Sequence, residues 1–203
     1  MFRRDFLVGG LSSGLVLAAA TALRAQQPVD DAAAKLVTAA RRQVGVTRTY
    51  DAAYTKLGYP GGDVPRERGV CTDVIIRAYR DALDVDLQVL VHEDMRRAFS
   101  AYPALWGLSR TDRNIDHRRV PNLQAFFRRA DATLPISNNA ADYRPGDIVS
   151  QMLPGNLPHI GIVADERTPD RSRPLVVHNI GAGARMEDVL FAYPITGHYR
   201  YKV

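Results

Sequence analysis

A single cysteine, Cys71, occurs in 203 residues, so the chain cannot close an intramolecular disulfide and the thiol is either a buried hydrophobe or a reactive group. Paired Cys/His spacings and a His-Glu-x-x-His pattern are missing, which leaves no metal signature, and no cofactor is required by any motif present. Internal repeats, low-complexity tracts and linkers are missing too. A strong charge of one sign is also absent. The 27 basic and 22 acidic residues give a formal charge of +5, too mild an excess to argue for nucleic acid. It is compatible with an anionic envelope polymer and equally with a solvated basic surface.

The first 25 residues carry what looks like a cleavable export signal: Arg3 and Arg4, an uncharged run from Phe6 to Leu23, and small residues near Ala22 and Ala25. The run Arg3-Arg4-Asp5-Phe6-Leu7 resembles a twin-arginine signal. Cleavage after Ala25 leaves 178 residues at a formal charge of +3. The expected mature product is one domain, residues 26–203, with no stable membrane span and a periplasmic location. Cys71 lies too far from the leader to be a lipoprotein's modified cysteine.

Along the mature chain, the apolar spacing from Asp30 to Val44 predicts a first helix. Turn chemistry at Tyr59-Pro60-Gly61-Gly62 marks Thr47 to Gly69 as a loop. Val74, Ile75, Ala78, Tyr79, Ala82 and Leu83 form an amphipathic stripe with Cys71 in phase. Further helices are expected from Leu90 to Tyr102 and from Pro121, at a first helical position, to Arg129. Short apolar segments follow at Asp147 to Leu153, His159 to Ala164, Leu175 to Ile180 and Ile195 to Tyr201. Turn residues separate them, which reads as antiparallel strands and an α+β class.

A thiol at a helix N-terminus meets unpaired backbone N–H groups and the positive end of the dipole, which favour thiolate and can hold an oxyanion. Asp73 opposes this by charge. The nucleophile needs a base, and five histidines are available: His92, His117, His159, His178 and His198. If His159-Ile160-Gly161 and Val177-His178-Asn179 pair as a hairpin centred between Thr168 and Pro169, His159 stands opposite His178 on one face. Two polar residues at strand ends are the plainer reading of that pair.

Gly69-Val70-Cys71-Thr72-Asp73, Pro145-Gly146-Asp147-Ile148-Val149, His159-Ile160-Gly161-Ile162-Val163 and Val177-His178-Asn179 resemble, in order and spacing, the NlpC-type cysteine peptidases of the papain-like superfamily. More closely, "GVCTDVIIRAYR", "LVHEDM", "NIDHRRVPNL", "PGDIV", "HIGIV", "HNIG" and "GHYRY" resemble the bacterial domain of unknown function 1287 family over essentially the whole mature chain. The resemblance implies a papain-like fold with a nucleophile helix packed on a small antiparallel sheet. It implies Cys71 as nucleophile, His159 as general base and His178 as the group orienting it. The implied substrate is an amide bond in peptidoglycan stem peptides, cut through a thioester. An upstream tyrosine assisting the oxyanion corresponds to Tyr50, Tyr54 or Tyr59, with Tyr59 carried as the candidate. The sequence departs from the better-known Asp-Cys-Ser pattern, having Val70-Cys71-Thr72.

Asn179 is a second candidate for orienting His159, although strand alternation puts it on the other face. Asp116 and His117 could line the cleft, with Arg118 or Arg119 forking onto a substrate carboxylate; the same stretch also reads as a capped turn with solvated charges. His92, Glu93 and Asp94 sit near an expected helix start, where acids complement the dipole. Trp106, Phe126, Phe127, Tyr199 and Tyr201 read as core. Two rivals stand beside the peptidase reading: a thiol acyltransferase or hydrolase on another amide or ester, and a non-catalytic envelope-binding module.

Overall fold

In a computed structural model, which describes residues 27–203, helix α1 (Gln27–Arg41) puts Leu36, Val37 and Ala40 into the core. The export-signal reading of residues 1–25 lies outside the described residues. The apolar spacing runs on to Val44, but the helix stops three residues earlier. Gly45 at φ +78° turns the chain, and the Gln43 side chain goes inward to donate to the Val74 carbonyl at 2.9 Å. Val44 is left exposed.

The loop expected from Thr47 to Gly69 is closed at its ends by a short parallel pair, β1 (Thr49–Tyr50) with β2 (Arg68–Gly69). Fully buried Arg77 organises this loop: its guanidinium donates to the Asp63 carboxylate, the Val64 and Arg68 carbonyls and the Thr47 hydroxyl. Arg77 belongs to α2 (Cys71–Leu83), whose apolar stripe sinks Val74, Ile75, Ala78 and Tyr79 into the core. Helix α3 (Leu87–Arg97) begins at an Asp86 cap that accepts from Gln88 N–H at 3.0 Å. It ends at Ala98, and a 3₁₀ turn follows at Phe99–Ala101. The single helix expected from Leu90 to Tyr102 is therefore displaced and broken. His92, Glu93 and Asp94 sit in its middle and last turns, where Asp94 pairs with Arg129 rather than serving the N-terminal dipole. Helix α4 (Val120–Arg129) has Arg119 as its N-cap, so Pro121 takes the second helical position, which also needs no N–H partner.

Strands β3 (Thr133–Leu134), β4 (Ile148–Leu153), β5 (Leu157–Arg167), β6 (Pro174–His178), β7 (Arg185–Glu187) and β8 (Ile195–Tyr199) form one six-stranded antiparallel sheet in the order β3-β8-β4-β5-β6-β7. Helices α1, α2 and α4 all pack on β5. The result is the mixed α and β architecture that helices first and strands second imply. Phe126, Phe127 and Tyr199 are core, and Tyr201 packs against it. Among the described residues no helix is long and apolar enough to cross a membrane.

The β5–β6 register corrects one expectation. Ile162 pairs with Val177 and Val163 with Val176, which sets His178 across from Gly161 rather than His159. Beyond an irregularity, Arg167 pairs with Pro174, so the turn centres between Asp170 and Arg171. The Asp170 carboxylate accepts there from Thr168 Oγ1, Ser172 N–H and Ser172 Oγ. The displacement is two residues, and with a side-chain period of two the histidines stay on one face as diagonal neighbours.

Asp147, fully buried where β4 begins, is the sheet's main electrostatic tie. It accepts from Arg144 N–H at 2.8 Å, His198 Nε2 at 2.8 Å and Arg200 Nε at 2.7 Å. Burial alone would raise its pKa, but these donors outweigh it and hold the carboxyl below its usual range. A depressed folded pKa stabilises above the unfolded value of about 3.9, and the contribution disappears as pH falls through the folded value. Replacing Asp147 with Ala strands His198 and Arg200 and is expected to cost about 3 kcal/mol at pH 7, read by urea unfolding, with a smaller difference from the parent near pH 2.

Candidate active site

Val70, the residue before α2, has an extended backbone and no side-chain oxygen to cap the helix. The cap comes from the other direction, because the Asp73 carboxylate accepts from Val70 N–H at 2.7 Å. Gly69 sits beneath this carboxylate: a Cβ there would stand 2.9 Å from Asp73 Oδ2. Asp73 is then clamped by Arg118, with Nε to Oδ1 and Nη2 to Oδ2 both at 2.9 Å and both side chains buried. Thr72 Oγ1 donates to the Arg118 carbonyl at 3.0 Å. Helix α2 therefore starts in one fixed place, with Cys71 as its first residue.

The Cys71 side chain is 4% exposed and lies at the wall of a cavity of about 370 Å³ shared with Tyr50, Val70, Trp106, Arg118 and Arg119. The backbone N–H groups of Ile160, Thr72 and Cys71 lie near enough to the sulfur to act on its pKa, and Tyr50 borders the same cavity. Helix α2 packs on β5, the strand that carries the candidate base His159, although His159 does not itself line the cavity. His159 Nε2 lies 3.2 Å from His178 Nδ1, with the rings edge to face at 82°. Gly161 makes room for this meeting, since a methyl group there would stand 2.5 Å from Val176 Cγ1 and 3.1 Å from His178 Cβ.

Beyond His178 lies Glu187 on β7, its Oε2 3.2 Å from His178 Nε2. The carboxylate is off the line of a good hydrogen bond, and Nε2 has no other partner among the described residues. A carboxylate there favours the His178 tautomer protonated on Nε2, which leaves Nδ1 as an acceptor. His159 then donates from Nε2 and keeps a lone pair on Nδ1. That lone pair is the one a base requires.

Electrostatics resists a preformed ion pair. Burial pushes the Cys71 thiol up to about 12, with Asp73 adding to the rise and the three backbone N–H groups opposing it. Burial, with His178 adding to it, takes His159 down to about 3. The expectation that the helix N-terminus favours thiolate is thus reversed in the free protein, because loss of hydration outweighs the N–H groups. Thiol and imidazole both rest neutral.

The other sequence candidates separate. Tyr59 is not at the site: its hydroxyl bonds Glu93 Oε1 at 3.2 Å and its ring meets His92 edge-on. Tyr54 bonds Asp112. Tyr50 is the one tyrosine of the three at the thiol. Asn179 does not touch either imidazole; it donates to the Gly69 carbonyl at 3.0 Å and so ties the end of β6 to the approach of α2. Asp116 and His117 occupy a buried 3₁₀ turn behind the cavity rather than lining it. Burial raises the Asp116 carboxyl to about 6 and lowers His117 to about 3. Trp106 is not core: it is 39% exposed and carries the Arg119 guanidinium 4.0 Å above its ring. Glu187 was missed altogether, because only the register of β6 with β7 places it diagonally from His178.

Residues 37–201 match the family model described as Domain of unknown function (DUF1287). The chain belongs to the DUF1287 family. The uncharacterized protein YijF of Escherichia coli (strain K12) is 60% identical over 164 residues, covering 81% of this chain and 79% of that one. The matched stretch of the DUF1287 model contains Tyr50, Cys71, Arg118, His159, His178 and Glu187, every side chain of the constellation described above.

Two outcomes follow from the proton arrangement. Alkylation of Cys71 by iodoacetamide should rise steadily through the alkaline range with no plateau between about pH 4 and 8, since a neutral thiol gains thiolate only as pH climbs. A low-pH plateau would show an ion pair instead. Glu187→Gln should slow any turnover through His159 by about tenfold and alter its pH profile while leaving thermal unfolding unchanged.

Proposed function

We propose that this protein is an exported cysteine hydrolase with a papain-like arrangement, cleaving amide bonds in the peptide stems of peptidoglycan. The observation carrying the reading is the Cys71 thiol at the first position of α2, at the wall of a cavity, on a helix packed against the strands that bear the His159–His178 pair. The resemblance of the cysteine and histidine segments to NlpC-type peptidases supports the papain-like part. Support for the cell envelope comes from the leader-like first 25 residues and from the mild basic charge left after their removal.

In the proposed cycle the sulfur attacks the amide carbon while its proton passes to His159 Nδ1. Negative charge grows on the former carbonyl oxygen, where backbone N–H groups at the start of α2 and the Tyr50 hydroxyl can receive it. The C–N bond then breaks and the departing nitrogen takes the proton from His159, leaving a thioester on Cys71. Water, deprotonated by His159, attacks the thioester; the carbon–sulfur bond breaks, the carboxylic acid leaves and the thiol recovers its proton. Because the resting pair is neutral, proton transfer belongs to the attack itself, once substrate has displaced water from the cavity.

Incubation of the mature protein with isolated peptidoglycan should release peptide fragments with new amino and carboxyl ends, identified by mass spectrometry. Cys71→Ala and His159→Ala should each reduce the rate by at least about a hundredfold. Transfer to an added amine without hydrolysis would make the protein an acyltransferase, and undiminished release by Cys71→Ala would overturn the nucleophile.

A further inference from the structure

The cavity at Cys71 is more positive than thiol chemistry requires. Arg118 is 6% exposed and spends Nε and Nη2 on Asp73, while its Nη1 is out of contact with solvent and has no hydrogen-bond partner among the described residues. Arg119 sits beside it, held over the Trp106 ring at 4.0 Å. Its Nη1 is likewise buried without a partner, and no carboxylate forms an ion pair with it among the described residues. Both arginines line the cavity that holds the thiol, and no Asp or Glu does. The first residues of α2 and α4 open on the same space, adding the positive ends of two helices.

The two Nη1 groups are shielded from the cavity, but the half-buried Arg119 borders it without an ion pair and is the arginine free to meet an acceptor there. We propose that Arg119, with Arg118 behind it, forms a carboxylate subsite in the wall of the cysteine cavity, so that the substrate carries a free carboxylate on a residue flanking the scissile amide. The inference rests on the reading of the Cys71 cavity as the substrate site. Asp73 pairs with Arg118, whereas Asp112 and Asp116 act on Arg119 without an ion pair, so the cavity wall keeps a donor for a monoanion. Trp106 holds the Arg119 guanidinium at its ring face, and Leu105, Ile115 and Val120 add apolar surface to the same wall.

The test is calorimetric binding to the mature Cys71→Ala protein, which cannot turn over. The ligands are L-alanyl-γ-D-glutamyl-meso-diaminopimelyl-D-alanine with its carboxylates free and the same peptide with them converted to carboxamides. The free acid should bind about tenfold or more tightly. Adding Arg119→Gln should erase that preference, and Arg119→Lys should keep part of it. Arg119 is only half-buried and outside the Asp73 clamp, so thermal unfolding of these variants should match the parent. Equal affinities, a preference surviving Arg119→Gln, or no binding of either peptide would overturn the subsite. Arg119-dependent preference without cleavage of peptidoglycan by the unmodified protein would instead overturn the hydrolase reading and leave the subsite standing. Cleavage that is blind to the carboxamides would do the reverse.

Discussion

The buried pair of Asp73 and Arg118 is the constraint on which the site is built. One carboxylate does two jobs, capping Val70 N–H at the start of α2 and holding a guanidinium from the turn before α4. Two elements distant in sequence are thereby locked across the mouth of one cavity, with Cys71 on one side and the arginines on the other. Removing either member would leave the other charge buried and unpaired, which costs far more than the pair contributes as a net stabiliser. The geometry has an electrostatic consequence as well. The same carboxylate that fixes the cysteine helix keeps a negative charge near the sulfur and adds to the rise in the thiol pKa.

That rise defines how the constellation can work. Burial acts on the thiol and the imidazole in opposite directions, favouring the neutral form of each. A neutral pair needs its protons placed correctly, and placement comes from geometry rather than from charge. Glu187 stands at the outer end, His178 in the middle and His159 at the inner end, so one surface carboxylate favours one tautomer for two rings in series. Gly161 is part of the same device, since no side chain fits between the strands where the two histidines meet.

Much of this was readable in the residues, and the failures have physical causes. The α2 stripe and the position of Cys71 were legible because a long run of 3.6-residue periodicity follows a glycine-rich loop. The pairing of His159 with His178 was legible in face but not in register. The polar turn suggested its own midpoint, whereas β5 runs on to Arg167 with an irregularity that displaces the pairing by two residues. Tyr50 could not be chosen over Tyr54 and Tyr59 because a two-residue parallel pair leaves no periodic trace. Glu187 lies on a three-residue strand, too short for alternation to show, and Trp106 looked like core because hydrophobicity alone does not say which side of a loop faces out.

The distribution of unmet polar atoms separates the site from the scaffold. Across most of the described residues buried polar groups find partners, and the strongest case, Asp147, receives donors from Arg144, His198 and Arg200. Unpartnered buried atoms gather instead on Asp116, His117, Arg118, Arg119 and Asn122, within one seven-residue stretch. A fold gains nothing in stability from concentrating such atoms, so the concentration points to a requirement other than folding. Asp116 and His117 form the buried back of that stretch, and Arg118 and Arg119 border the cavity that Cys71 also lines. Half of the unpartnered buried atoms among the described residues thus fall in the segment that closes the cavity; the others sit on Arg41, Gln43, Arg80, His92 and His178, the last belonging to the histidine pair itself.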